Sequence, residues 1–329
     1  MSTRRLLRAE NLRELGLLLF LMVISIAVQI RNPAFLTLNN LNSLFTNTSI
    51  LAILAVGMML VLVTRGIDLS IGSIVAFAGM AVALMVVRWP GMHPALALLL
   101  GTLVGAGFGA ITGSLVAWFD VLPVIATLGM MNVVRGLTYV LSGGQWVSSY
   151  QMPDSFKDLA TGRTLGLNNL FVIAIVVYLV AAWFIGYTRT GRRIYAVGSN
   201  PDAAALSGIP RRYLTFLVYT IMGGLAGLGG VLWVARFASA QGNTAIGYEL
   251  QVIAACILGG VSITGGTGRL SGLVLGVLLL GILANALPLV NVSPFWQQGI
   301  QGAVVLAAVI TNVLVRRNTE RVALRNRAI

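Results

Sequence analysis

The chain has 329 residues, 57% of them hydrophobic and only 9% charged, with a mean hydropathy of +0.91. A soluble domain carries about 25% charged residues, so this composition excludes a water-soluble globular protein. The net charge of +13 invites a nucleic-acid reading until the basic residues are placed, since they sort by loop and so report topology.

A helix crosses the hydrocarbon with about 20 apolar residues, and inside lipid only helices or closed barrels satisfy their own backbone. The apolar runs here are unbroken and do not alternate at period two, which predicts helices. In chain order they fall near 15–30, 49–64, 70–87, 94–118, 121–141, 168–186, 213–234, 248–264, 270–290 and 295–315. The first follows MSTRRLLRAENLREL, where Glu10, Glu14 and the lack of a small-x-small site favour an uncleaved span over a signal peptide.

With the N-terminus inside, sixteen basic residues fall on the inner side. They are Arg4, Arg5, Arg8 and Arg13, then Arg65, the group from Arg189 to Arg212, Arg269, and the group from Arg316 to Arg327. Arg31, Arg88, Lys157, Arg163 and Arg236 fall outside, and Arg135 lies within a span. This asymmetry predicts an all-α polytopic membrane protein of about ten transmembrane helices with both termini cytoplasmic. The expected organisation is a tail over 1–14, a single transmembrane domain over 15–315 and a tail over 316–329.

The 38 glycines suit helices packed tightly in lipid, where small residues let backbones approach. Gly101, Gly105 and Gly109, and Gly223, Gly227 and Gly230, form small-xxx-small spacings. Chance explains any one such match in a glycine-rich helix; their density is what predicts close packing. Cys256 and His93 stand alone, which excludes an intrachain disulfide and any cysteine or clustered-histidine metal site. No HExxH, GxSxG or Walker A string occurs, and GGTG at Gly265–Gly268 lacks a phosphate-reaching lysine, so the chain carries no nucleotide hydrolase of its own.

Two connections are long. The outer one, Ser142–Asn168, reads as a surface loop or short interfacial helix. The inner one, over 188–213, is TRTGRRIYAVGSNPDAAALSGIPRRY. Asn200 is a good N-cap, Pro201 suits the first helical position, and Asp202 lies where the helix dipole favours an anion. Ala203, Ala204, Ala205 and Leu206 are strong helix formers, Ser207 follows, and Gly208 can take the left-handed stop. The result is a helix of about two turns among five arginines. Its small side chains suit docking into a groove on a motor subunit; a linker helix lying on anionic headgroups is the alternative that the loop alone leaves open.

Several strings across the chain resemble the permease subunits of ribose-type carbohydrate ABC importers. They are RGIDLSIGSIVAF from Arg65, VIATLGMMNVVRGL from Val124, LSGGQWV from Leu141 and, most specifically, GYELQVIAACILGGVSITGGTGRLSG over Gly247–Gly272. The resemblance runs from about residue 40 to the end. GGQWV and IAACILGG look closest to permeases for autoinducer-2 and rhamnose, and ribose and other pentose permeases share most of the pattern. It implies a type II-importer-like bundle in the bacterial inner membrane and a second permease, as another copy or a sister protein. It also implies a cytoplasmic ABC ATPase whose P-loop binds ATP and magnesium, and a periplasmic sugar-binding protein. On that resemblance the ATPase docks at Asn200–Ile209, membrane lipid surrounds the chain, and nucleic acid has no part.

Polar residues inside the spans are costly and face a cavity or a partner. Asp68 is either a gate or, paired with Arg65, a cap for the next span. Arg135, with Asn132 one turn earlier, either lines a path for a polyhydroxy solute or snorkels to the headgroups. Asn285 lines the path or ties two helices together. Gln297, Gln298 and Gln301 form a stripe that either lines the entrance or meets a second permease. Arg88 and Arg236 could meet carboxylates on a delivering protein or be plain solvated arginines. The expected function is alternating-access import of a monosaccharide or sugar-like signal driven by a partner ATPase. The alternative, an ion-coupled secondary transporter of a small neutral solute, would want a mid-membrane Asp, Glu or His relay, which the spans lack.

Overall fold

The structure, a computed structural model, describes residues 9–164 and 166–293, with scattered positions between 296 and 310. Residues 1–8, Gln297, Gln298, Gln301 and 311–329 therefore lie outside the described residues, and the tenth expected span is described only at those scattered positions.

Among the described residues eight helices are long and apolar enough to cross a membrane. They lie in α1 (Ala9–Arg31), α2 (Leu38–Val63), α3 (Ile71–Arg88), α4 (Pro94–Ala117), α5 (Pro123–Ser142), α7 (Asn169–Tyr187), α10 (Arg211–Phe237) and α12 (Leu270–Leu289). Between them lie the short helices α6 (Asp154–Thr161), α8 (Arg189–Ser199), α9 (Pro201–Leu206) and α11 (Tyr248–Leu258). A two-stranded hairpin pairs Arg163–Thr164 with Leu167–Asn168. The helix starts are chemically marked. Pro94 and Pro123 occupy first-turn positions where a missing N–H costs nothing, and Asn168 accepts from Leu170 N at 2.9 Å to open α7.

The eighth run departs from expectation. It is helical only over 248–258, an eleven-residue helix of about 16 Å at 1.5 Å per residue, roughly half the hydrocarbon thickness. Gly259 and Gly260 end it, Gly260 taking φ +86°, and residues 261–268 fold back in a turn closed by Ser262 N on Thr267 O at 3.0 Å. The long outer connection holds a 3₁₀ turn at Ser149–Gln151 and α6, which buries Phe156 and Ala160 against the bundle.

The centre of the bundle is α2, with 89% of its apolar window buried, packed by α10, which also runs against α3 and α4. The α4–α10 contact is made by glycines. A Cβ on Gly105 would run into the Gly223 carbonyl and lie 2.6 Å from Gly227 N. One on Gly227 would strike the Gly101 carbonyl, and one on Gly109 would lie 2.9 Å from Gly223 Cα. Gly101, Gly105 and Gly109 with Gly223 and Gly227 therefore form one continuous α4–α10 seam, while Gly230 packs against Val75 and Gly79 of α3, the close approach small residues permit in lipid.

Contacts sort the connections into two ends. At one, Arg212 meets Asp120 at 3.3 Å, Arg13 donates to Gly260 O at 2.9 Å, and Tyr195 donates to Gly268 O at 2.8 Å. This basic end carries Arg65, Arg189, Arg192, Arg193, Arg211 and Arg269 as well. At the other, Asn32 donates to Leu289 O at 2.7 Å and Val147 bridges Ala240.

Candidate functional site: the basic end and its joins to the bundle

The basic end is built around α8 and α9. Thr188 opens α8 by accepting from Gly191 N at 2.9 Å, and Ile194, Val197 and Gly198, spaced three and four apart, bury its inner face. Asn200 then opens α9, its side chain accepting from Ala203 N at 3.0 Å, with Pro201 at the first helical position. Gly208 closes the segment at φ +71°. Asp202, Ala203, Ala205, Leu206 and Ser207 are exposed, Leu206 at 91%, whereas Ala204 at 4% faces the bundle. Ala204 is therefore a packing position, and the outward surface of α9 is Ala203, Ala205 and Leu206.

Arg65 connects this segment to the membrane hairpins. It holds φ +67°, a left-handed conformation uncommon for a side chain of its size, directly after α2. Its Nε donates to Gly198 O at 2.7 Å and its Nη2 to Ser199 O at 2.8 Å. These are the last carbonyls of α8, which no intrahelical N–H can reach, and a cation there also suits the helix dipole. The turn after α11 closes the other side. Gly266 N donates to Val63 O at 2.9 Å, and a Cβ on Gly198 would collide with that same carbonyl and sit 2.7 Å from Gly266 N. One small volume thus fastens the stretch just before Asn200 to the α2–α3 connection and to the α11–α12 connection.

The expected Arg65–Asp68 pair does not form. Arg65 points out to α8, while Asp68 is fully buried in the irregular stretch 66–70 before α3. Its Oδ1 accepts from Ser70 N at 2.8 Å and Ser70 Oγ at 2.6 Å, a local turn that holds Ser70, the N-cap residue of α3, without reaching a first-turn N–H of that helix, so Asp68 is not its cap. Its Oδ2 has no partner. Burial pushes the carboxyl above its ordinary value, with the Ser70 hydrogen bonds opposing. Tyr219 of α10 pins the same stretch, donating to Ile67 O at 3.2 Å.

The remaining polar positions scatter. Asn132 is exposed and donates to Leu128 O of its own helix at 2.9 Å. Arg135 neither snorkels free nor stands open; it grips the backbone of the 238–247 loop through Gly242 O at 2.7 Å and Thr244 O at 2.8 Å. Asn285 and Asn40 exchange amide hydrogen bonds at 2.9 and 3.0 Å, joining α12 to α2. Arg88 is exposed at the end opposite the basic one. Arg236 is half-buried and donates to Asn47 at 3.0 Å, which takes it out of the class of free surface cations. Gly198, Gly266 and Tyr195 carry the join at the basic end without having been singled out. The signal for α8 was the spacing of Ile194, Val197 and Gly198, masked by Arg189, Arg192 and Arg193 just before them.

Apolar helices in a glycine-seamed bundle, with one basic end and a rigid capped helix on it, define a multi-pass membrane protein of the permease kind. The family model described as branched-chain amino acid transport system / permease component matches residues 40–309, and the chain belongs to that family. It is 41% identical over 313 residues to the ribose import permease protein RbsC of Escherichia coli (strain K12), covering 94% of this chain and 97% of the relative. It is 35% identical to the L-arabinose ABC transporter permease protein AraH of Azospirillum brasilense, covering 93% and 89%. It is 33% identical to the autoinducer 2 import system permease protein LsrC of Enterobacter sp. (strain 638), covering 94% and 89%. No solved structure matches the chain.

Proposed function

We propose that the chain is the membrane-spanning subunit of an ABC importer that moves a neutral sugar or sugar-like signal by alternating access. The family description names amino acid transport, but the relatives that match nearly end to end carry the names of ribose, arabinose and autoinducer-2 systems. Those names favour a sugar. The basic end then faces the cytoplasm, as the excess of arginine there favours. A P-loop ATPase docks on the outward surface of α9, Ala203, Ala205 and Leu206, and supplies the ATP chemistry this chain lacks. A soluble sugar-binding protein delivers solute at the opposite end, and a second permease, identical or related, completes the path.

One observation carries the reading: α9 is fastened, through Arg65 and the Val63–Gly198–Gly266 contact, to two membrane hairpins at once. A push on α9 therefore moves α2, α3 and α12 together, which is what coupling to an external motor requires. Ala205→Arg and Leu206→Glu alter only the exposed surface of α9. Each is expected to abolish co-purification of the ATPase while the permease still inserts and accumulates. Undiminished co-purification of both variants would remove the docking assignment.

A further inference from the structure

A cavity of ≈ 210 Å³ opens between α2, α10, α11 and α12, in the half of the bundle away from the basic end. Its polar lining is Asn47, Thr48, Gln251 and Asn285, its aromatic lining includes Trp233 and Tyr248, and no charged side chain lines it among the described residues. At about 30 Å³ per water the volume holds roughly seven waters, the scale of one sugar ring with its hydroxyls.

The lining is braced. Asn285 is fixed by its exchange with Asn40, which leaves one N–H and one lone pair of the amide unused. Asn47 accepts from Arg236 Nη2, so its own NH₂ is left to donate elsewhere. The same guanidinium holds a buried Nε without a partner. Thr48 gives its proton to Leu44 O at 2.7 Å and keeps its lone pairs. The rings of Trp233 and Tyr248 stand at 86° with centroids 5.1 Å apart, presenting two flat surfaces at a corner.

We propose that this cavity is a subsite for a neutral monosaccharide-sized polyol on its way through the protomer. Side-chain amides both donate and accept, as hydroxyl groups do, and aromatic faces take up the C–H faces of a ring. A lipid tail would leave the spare N–H groups of Asn47, Gln251 and Asn285 unmet, and a cationic solute would lose its hydration beside the Arg236 guanidinium with no carboxylate in the wall. The proposal rests on the reading that the importer carries a neutral sugar and admits it from this end.

The test uses the whole importer, permease with ATPase and binding protein, in proteoliposomes, offered ribose, L-arabinose and D-allose. Gln251→Leu and Trp233→Leu are expected to lower maximal uptake of the transported sugar about tenfold, the loss of one good hydrogen bond or stacking surface, with ATPase assembly unchanged. A second measurement needs no loss of function. With Gln251→Cys, the transported sugar is expected to slow labelling by a membrane-impermeant maleimide severalfold, and N-methylglucamine, a cationic analogue, is not. Cys256 is buried and does not compete for the label. Wild-type uptake combined with unprotected labelling would mean that water alone fills the cavity, and would overturn the subsite. Failure of the wild-type complex to import any neutral sugar would overturn the functional reading, and the subsite with it.

Discussion

Arg65 is the residue on which most depends, because its two hydrogen bonds reach backbone that belongs to a different connection. In an exposed place such bonds add about 1 kcal/mol to stability, so their loss should not unfold the bundle. What it should do is loosen the join between α8 and the α2–α3 elbow. Arg65→Ala is expected to leave ATPase co-purification intact while the ratio of sugar imported to ATP hydrolysed falls severalfold. Arg65→Lys, which offers a point charge and no planar fork, should lie between the two. An unchanged ratio in Arg65→Ala would show that the join transmits nothing. Asp68 allows a separate test of the elbow itself. Its carboxyl is raised by burial above 3.8, so the folded state holds the proton where the unfolded chain has released it. Stability should therefore decline as pH rises from about 3.8 toward the folded value. Asp68→Asn keeps an oxygen for Ser70 and has no proton to lose. The variant's Tm should fall less than the wild type's as pH rises above about 3.8. A parallel fall in both would mean that Asp68 contributes nothing to the slope.

At the scale of elements, two glycines on α4 separate packing from propensity. Gly105 faces α10 and has no room for a methyl group, whereas a Cβ on Gly107 meets nothing within 4 Å. Gly105→Ala is expected to lower the unfolding midpoint in detergent, with a cost of about 1–3 kcal/mol for forcing two backbones apart. Gly107→Ala should be neutral or slightly stabilising. Equal effects at both sites would mean the seam is not as close as the geometry places it. These elements also show what a sequence can and cannot convey. Span positions were readable because lipid demands long apolar runs, and α9 was readable because Asn200, Pro201 and Gly208 are local signals with local causes. The α11 stop at Gly259 was hidden, since residues 252–261 run on without a polar side chain and only the left-handed Gly260 and its turn end the helix. The partner of Arg65 was hidden for another reason. Asp68 is three residues away in sequence, but Gly198 and Ser199 are brought to it only by the folding of α8.

For the whole molecule, the orientation of the bundle in the membrane is a single property that both ends report. Every proposed role assumes that α8, α9, Arg65 and the 261–268 turn share the ATP-bearing compartment, and their mutual contacts oblige them to lie on one side together. The far end is bound together as firmly by Arg135 on the 238–247 loop and by the bridge from Val147 to Ala240. The molecule can thus be inverted as a whole but not in part. Leu206→Cys at the tip of α9 and Tyr150→Cys on the opposite connection are both well exposed, at 91% and 88% for the native residues, and so report cleanly. In intact cells a membrane-impermeant maleimide is expected to modify the cysteine at 150 and spare the one at 206, with both reacting after permeabilisation. The reverse pattern would put α9 beyond the reach of any cytoplasmic motor, and the importer reading would fail however well the local geometry is reproduced.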